Sequence, residues 1–168
     1  MKEARRVVGA ELPKAILRKV DAQTVTNVEL VRTLHEIWNT GKLELIESVY
    51  ASDYAGYWPA SSEVPVRRGV EGVQFSVQRT RAAFPDWHEQ VIDVFGHEEK
   101  VASRYVSTGT HSGPYWGLEP TGKRIEIQEI SIFRCAGSRV VEQWCILDEL
   151  ALQQLGVHEA YLRRMLKL

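Results

Sequence analysis

The chain is poor in the residues that mark several large functional classes. It has two cysteines in 168 residues, Cys135 and Cys145. They flank a predicted hairpin and could face each other, but a reduced cytosolic pair is the expected state. They form no CxxC, and no His/Cys spacing suits a zinc site. The apolar runs are only a few residues long, so no segment reads as a membrane-spanning helix. Lys and Arg total 21 against 22 Asp and Glu, for a net charge of −1. They form no basic block, so nucleic acid is not an expected partner. Residues 1–20 hold Arg5, Arg6, Lys14, Arg18 and Lys19 without the apolar stretch of a secretory signal, and Glu3 and Glu11 argue against a transit peptide. A cytoplasmic location is expected. The dinucleotide, Walker, nucleophile-elbow and HExxH motifs are also missing. Gly109, Gly113, Gly117 and Gly122 lie between predicted strands with no helix after them, so they do not form a phosphate cradle. No metal or organic cofactor is expected, and no membrane.

What is present reads as one domain of the α+β class. The length suffices to bury a core. Residues 1–23 read as an N-terminal arm with one short helix within 1–20, and 24–168 as a single domain. Val28, Val31, Leu34, Ile37 and Trp38 recur at helix spacing, with Thr24 or Thr26 able to cap the start. Leu43, Ile46, Val49 and Tyr50 predict a second, short helix. Residues 53–59 predict a short aromatic strand and 60–68 a loop. Gly69 to Phe84 predicts a third helix, with Val70, Val73, Val77 and Ala83 as its buried stripe. After Trp87 the period changes to two, predicting strands over 88–96, 100–111, 123–134 and 139–148. Two helices, 149–155 and 158–167, follow. Helices first and strands after imply a curved antiparallel sheet wrapped on helices.

Strand alternation sorts the polar side chains. Ile125, Ile127, Glu129, Ser131 and Phe133 share one face. Val140, Glu142, Trp144, Ile146 and Asp148 share another, and His111 lies on the face of Val101, Ser103, Tyr105 and Ser107. A one-residue bulge would swap inner and outer faces. A carboxyl in an apolar pocket has its neutral form favoured, which suits acid or base work near neutral pH. Glu129 and Asp148 are therefore the candidate catalytic carboxyls, with His111 as a proton-transfer partner. Each also has a structural reading. Glu129 could sit on the solvated face, Asp148 could cap the helix at Glu149, and His111 could bond a backbone carbonyl. The tryptophans could be core or substrate wall.

Four segments carry a family resemblance: WNTGKLELIESVYASDY (38–54), RRGVEGVQFSVQRTRAAFPDW (67–87), STGTHSGPYWGLEPTGK (107–123) and IFRCAGSRVVEQWCILDELALQQLG (132–156). Over roughly residues 25–156 the chain resembles the SnoaL-like polyketide cyclase (ester cyclase) family of the nuclear-transport-factor-2-like superfamily. The resemblance implies a cone-shaped, strongly bent antiparallel sheet closed by N-terminal helices around a deep pocket. It implies aldol cyclisation of a polyketide by a pocket aspartate acting as general acid/base, without metal. The family pattern puts that aspartate three residues before the Arg of the strand, and here the position holds Ser131. A serine hydroxyl cannot replace a carboxylate base. Glu129, roughly 6–7 Å away along the same face, is the group that could take over.

Two functions follow. One is a small-molecule cyclase or isomerase acting on a small hydrophobic or aromatic, polyketide-like substrate. Glu129, His111 and Asp148 would then move protons, and Trp38, Trp58, Trp116, Trp144 and Ser131 would contact substrate. The other is a non-catalytic small-molecule-binding protein of the same fold. Two carboxylates lining the pocket would favour the enzyme. Ile130 and Ile132 on the outer sheet face suggest a homodimer or higher oligomer.

Overall fold

The first helix, α1 (Ala22–Thr40), starts where Asp21 accepts a hydrogen bond from the Thr24 N–H at 2.7 Å. Aspartate satisfies one of the orphan donors of the first turn, and it caps the helix in place of the expected threonines. Gly41 ends α1 at φ 73°, a left-handed conformation that glycine adopts without a Cβ clash. The computed structural model describes residues 21–59, 62 and 64–156. The expected helices within 1–20 and over 158–167 lie outside the described residues.

A 3-10 turn (Leu43–Leu45) and α2 (Ile46–Val49) lead into β1 (Tyr50–Tyr57). The expected loop over 60–68 ends in a strand, β2 (Val66–Arg68), paired antiparallel with β1 from Ala55↔Arg68 to Tyr57↔Val66. Next come α3 (Gly69–Ala83), β3 (His88–His97), β4 (Lys100–Thr110), β5 (Arg124–Ala136), β6 (Arg139–Leu147) and α4 (Glu149–Gln153). The architecture is α+β, with a curved sheet of six strands in the order β2-β1-β6-β5-β4-β3. The sheet is mixed, where antiparallel pairing throughout was expected: β1 and β6 run parallel. β3 to β6 are joined by consecutive connections and alternate in direction. β2, α3 and three further strands separate β1 from β6 along the chain, so no hairpin dictates its sense.

β5 alternates cleanly between buried and exposed residues, with Ile125, Ile127, Glu129, Ser131, Phe133 and Cys135 inward. β6 breaks this alternation. Its pairing steps from Cys135↔Val140 to Arg134↔Glu142, leaving Val141 as an extra residue. Beyond that bulge Gln143 and Cys145 face inward, and Trp144 and Ile146 face out.

The main core packs α1 residues Val31, Leu34 and Ile37 with Ile46, Val49, Tyr50, Val77, Val101 and Phe133. Fully burying a side chain such as Phe133 stabilises the fold by about 1.5–3 kcal/mol. Two polar contacts hold the open ends of this layer together. The Asn39 side chain accepts from the Glu89 N–H at 2.6 Å and donates to the Glu89 carbonyl at 3.1 Å. Arg81 donates to the Asn39 carbonyl at 2.8 Å and the Pro85 carbonyl at 3.0 Å. The end of α1 is thereby fixed to the start of β3, which sets where Glu89 points.

Candidate active site

The helices α1 and α3 lie across the concave sheet face and leave a cavity of about 850 Å³, counting its open mouth. Glu129 of β5, Tyr105 of β4 and Gln143 of β6 line it from the sheet. Leu34 and Trp38 of α1, Phe75 and Arg79 of α3, and Arg67 of β2 line it from the other side. Trp58, Trp87, Tyr115 and Trp116 supply aromatic surface from the connections.

Glu129 is 8% exposed and is held through both carboxyl oxygens. Ser107 donates to Oε1 at 2.5 Å, and Tyr105 and Cys145 donate to Oε2 at 3.3 and 3.4 Å. Desolvation by burial raises its pKa from 4.5 to about 7, and the negative charge of Glu89 adds to the rise. The three hydrogen bonds oppose it by favouring the carboxylate. The outcome is a carboxyl that is about half ionised at neutral pH, at the wall of a cavity.

A chain of hydrogen bonds runs toward this carboxyl. Tyr54 donates to Gln143 Oε1 at 2.9 Å, and Gln143 Nε2 donates to Ser131 Oγ at 3.1 Å. Ser131 Oγ and the Tyr105 hydroxyl lie 3.0 Å apart, and Tyr105 bonds Glu129. With Gln143 already donating to it, the Ser131 hydroxyl can donate its hydrogen bond to the Tyr105 oxygen. Every donor then points toward Glu129. Burial pushes the Tyr105 and Tyr54 phenols up, so both stay protonated donors. Cys145, also free and buried like Cys135, has its thiol pushed up for the same reason.

A second buried carboxylate lines the cavity. Glu89 Oε2 lies 2.6 Å from His35 Nδ1, and His35 Nε2 lies 3.0 Å from Ser103 Oγ. The Trp87 indole N–H donates to Glu89 Oε1 at 3.3 Å. Sequence reasoning passed over this group. Glu89 sits on the same face as Val91 at the start of a predicted strand, the kind of signal that selected Glu129. His35 lies 54 residues away, and its partnership with Glu89 has no sequence signature. Arg67 was assigned to a loop and gave no signal at all.

The structure brings Glu129, Trp38, Trp58 and Trp116 together on the cavity wall. The other expected site residues are placed elsewhere. Ser131 is fully buried behind the wall, as a link in the hydrogen-bond chain. Trp144 lies on the convex face stacked on Tyr57, because the Val141 bulge turned it outward. Asp148 is exposed and bonds the Leu150 N–H at 3.0 Å, at the start of α4. His111 is buried between Phe84 and Tyr115, with Nδ1 3.0 Å from Thr121 Oγ1. Its ring neighbour Tyr115 lines the cavity, and His111 itself does not. Among the described residues no cluster of His, Cys, Asp and Glu is arranged to hold a metal.

This fold and this site define a pocketed α+β protein with a tuned buried carboxyl, and comparison with known proteins gives the class a family. A model of the SnoaL-like polyketide cyclase family matches residues 28–155, and the chain belongs to that family. It is similar to the aklanonic acid methyl ester cyclase DauD of Streptomyces sp. (strain C5), at 27% identity over 117 residues covering 67% of this chain and 70% of DauD. Among solved structures it resembles wild-type IdmH of Streptomyces antibioticus, provisionally a polyketide cyclase. The TM-score is 0.67 at 33% identity, covering 78% of this chain and 99% of IdmH. AclR of Streptomyces galilaeus, provisionally a hydroxylase, gives a TM-score of 0.68 at 26% identity, covering 79% of this chain and 82% of AclR.

Proposed function

We propose that this chain closes a ring in a polyketide by general acid/base aldol chemistry, with Glu129 moving the proton. The observation that carries the proposal is the buried Glu129 carboxyl at the cavity wall, with its pKa near 7. General acid–base catalysis is most efficient when the group's pKa lies near the working pH. Ionised Glu129 takes the proton from a carbon between two carbonyls, and the C–H electron pair spreads into an enolate. The enolate carbon bonds to a ketone carbon of the same molecule. The ketone's π pair moves to its oxygen, which receives the proton back from Glu129. Nothing enters or leaves, so the product is an isomer of the substrate. Tyr105 and Ser107 hold the carboxyl in place through the cycle, and Trp38, Trp58 and Trp116 supply flat surface for an aromatic substrate. The presence of Glu89 on the same wall favours an enzyme over a passive binder, because its charge raises the pKa of the Glu129 carboxyl beside it. His111 acts as a positioning residue behind Tyr115.

The test follows deuterium uptake from solvent into a 1,3-diketone, alongside conversion of an aromatic polyketone to a cyclised product of equal mass. Exchange should rise with pH through about 7, as Glu129 ionises. Exchange no faster than buffer at every pH would leave the binder as the better description.

The convex face supports a second part of the proposal. Ile130 and Ile132 are 51% and 45% exposed, and their β6 partners Ile146 and Trp144 are 70% and 39% exposed. A contiguous apolar patch of this kind can be buried against its own copy across a twofold axis, so a second copy of the chain is the proposed occupant. Sedimentation at micromolar concentration should find a dimer, and a species of 19.1 kDa would count against it. The proposal takes residues 24–168 as one domain acting in the cytoplasm, where Cys135 and Cys145 persist as buried thiols.

A further inference from the structure

A guanidinium is held against the cavity wall with one N–H that has no partner among the described residues. Arg67 comes from β2, and its Cζ lies 3.4 Å from the centroid of the Trp58 ring and 5.6 Å from that of Trp38. Stacking on an indole fixes the guanidinium plane and so fixes where its N–H groups point. Arg67 Nε is buried and has no hydrogen-bond partner among the described residues. A buried N–H is costly to leave unpaired, so one on the wall of a ligand cavity points to an acceptor that arrives with the ligand. Neither cavity carboxylate serves. Glu89 bonds His35 and Trp87, and Glu129 bonds Ser107, Tyr105 and Cys145.

A second cation reaches the same corner. Arg79 of α3 lines the cavity with its guanidinium 5.7 Å from the Tyr115 ring centroid. Burial raises the pKa of the Tyr115 phenol, and the positive charges of Arg67 and Arg79 both oppose that rise. The two guanidiniums therefore act together on one hydroxyl-bearing part of the wall. A planar guanidinium fork matches the two oxygens of a carboxylate better than any neutral acceptor.

We propose that Arg67, with Arg79 and the Tyr115 hydroxyl, forms a carboxylate-binding corner, and that the substrate, unlike the methyl ester that names DauD, carries an ionised carboxyl group beside its polyketone. The polyketone half of this statement rests on the cyclase proposal above, and the carboxylate half does not. Anchoring one end of the substrate at Arg67 leaves the acidic carbon free to lie against Glu129. The corner thus sets which polyketides are accepted and in which orientation.

Calorimetric titration of the full chain with naphthoate, and with its neutral amide naphthamide, tests this near pH 6, below the titration of Glu129. Naphthoate should bind roughly ten- to a hundredfold more tightly, the range expected for hydrogen bonds to a charged group. Arg67→Gln should bring naphthoate down to the affinity of naphthamide. Arg67→Lys, which keeps the charge but not the fork, should recover part of the difference. Arg79→Gln should reduce the preference without abolishing it, which guards against a fold defect confined to β2. Equal affinity of the two probes for the unaltered chain, no binding of naphthoate, or an undiminished preference in both glutamine variants would overturn the proposal. Glu129→Gln should keep the preference. A chain that binds naphthoate through Arg67 yet exchanges no deuterium would retain this corner and lose the cyclase assignment.

Discussion

Replacing Glu129 by glutamine is expected to lower turnover by about 10²–10⁴-fold, the usual worth of general acid–base assistance. The substitution is isosteric, so the change falls on chemistry. An amide cannot accept the C–H proton or return it to the new hydroxyl. Ser107 can still donate to the amide oxygen, and the cavity shape stays the same. The loss should therefore appear in kcat, with KM little changed, because the tryptophans and Arg67 proposed to hold the substrate remain. The rising limb of the pH profile near 7 should vanish with it. Steady-state rates across pH, with circular dichroism to confirm the fold, decide the matter. An undiminished kcat would remove Glu129 from the chemistry and leave Glu89 as the carboxylate to test.

The same substitution should change how stability depends on pH. The Glu129 pKa is raised on folding, from 4.5 to about 7. A carboxyl raised in this way contributes its stability fully below about 4.5, where both states are protonated alike, and loses it as pH rises through about 7. Over that window the native carboxyl must ionise inside the protein, while the unfolded one has already done so in water. At 1.36 kcal/mol per unit of pKa, the loss is on the order of 3 kcal/mol. Glutamine stays neutral and escapes it. Guanidinium unfolding should then find the two chains of similar stability near pH 4.5, with Glu129→Gln the more stable one near pH 8.5. In thermal unfolding the gap at the higher pH should be roughly 6–12 °C for a chain of this size. Parallel pH curves for the two chains would mean that Glu129 ionises freely in the folded state, and the base role would lose its physical basis.

The legible and illegible parts of this site divide along the strands. On β5 the strict alternation of apolar and polar residues placed Glu129 beside Ile127 and Phe133, and the burial of that face agrees. The same rule applied to β6 placed Trp144 inward, and it lies outside. One extra residue, Val141, inverts the pleat, and it arises where β6 must pair with both β5 and β1. A bulge is a property of two neighbouring strands, so one strand's sequence does not announce it. Asp148 was legible only as one of two alternatives, and the helix-capping one matches its bond to the Leu150 N–H.

By itself, the sequence determined the class of fold and the order of the described helices and of β3 to β6, and it offered Glu129 as one of two candidate carboxyls. These follow from periodicity, which is a local property set by the pitch of the helix and the pleat of the strand. The tertiary structure alone decided which groups share the cavity with Glu129. Arg67 of an edge strand, Tyr105 of β4 and Glu89 of β3, bonded from behind by His35 of α1, meet there because α1 and α3 cross the concave face of one sheet. The pKa of Glu129 belongs to that meeting as well. Its ordinary value is a property of the side chain, and its value near 7 is set by water excluded from around it and by the charge of Glu89.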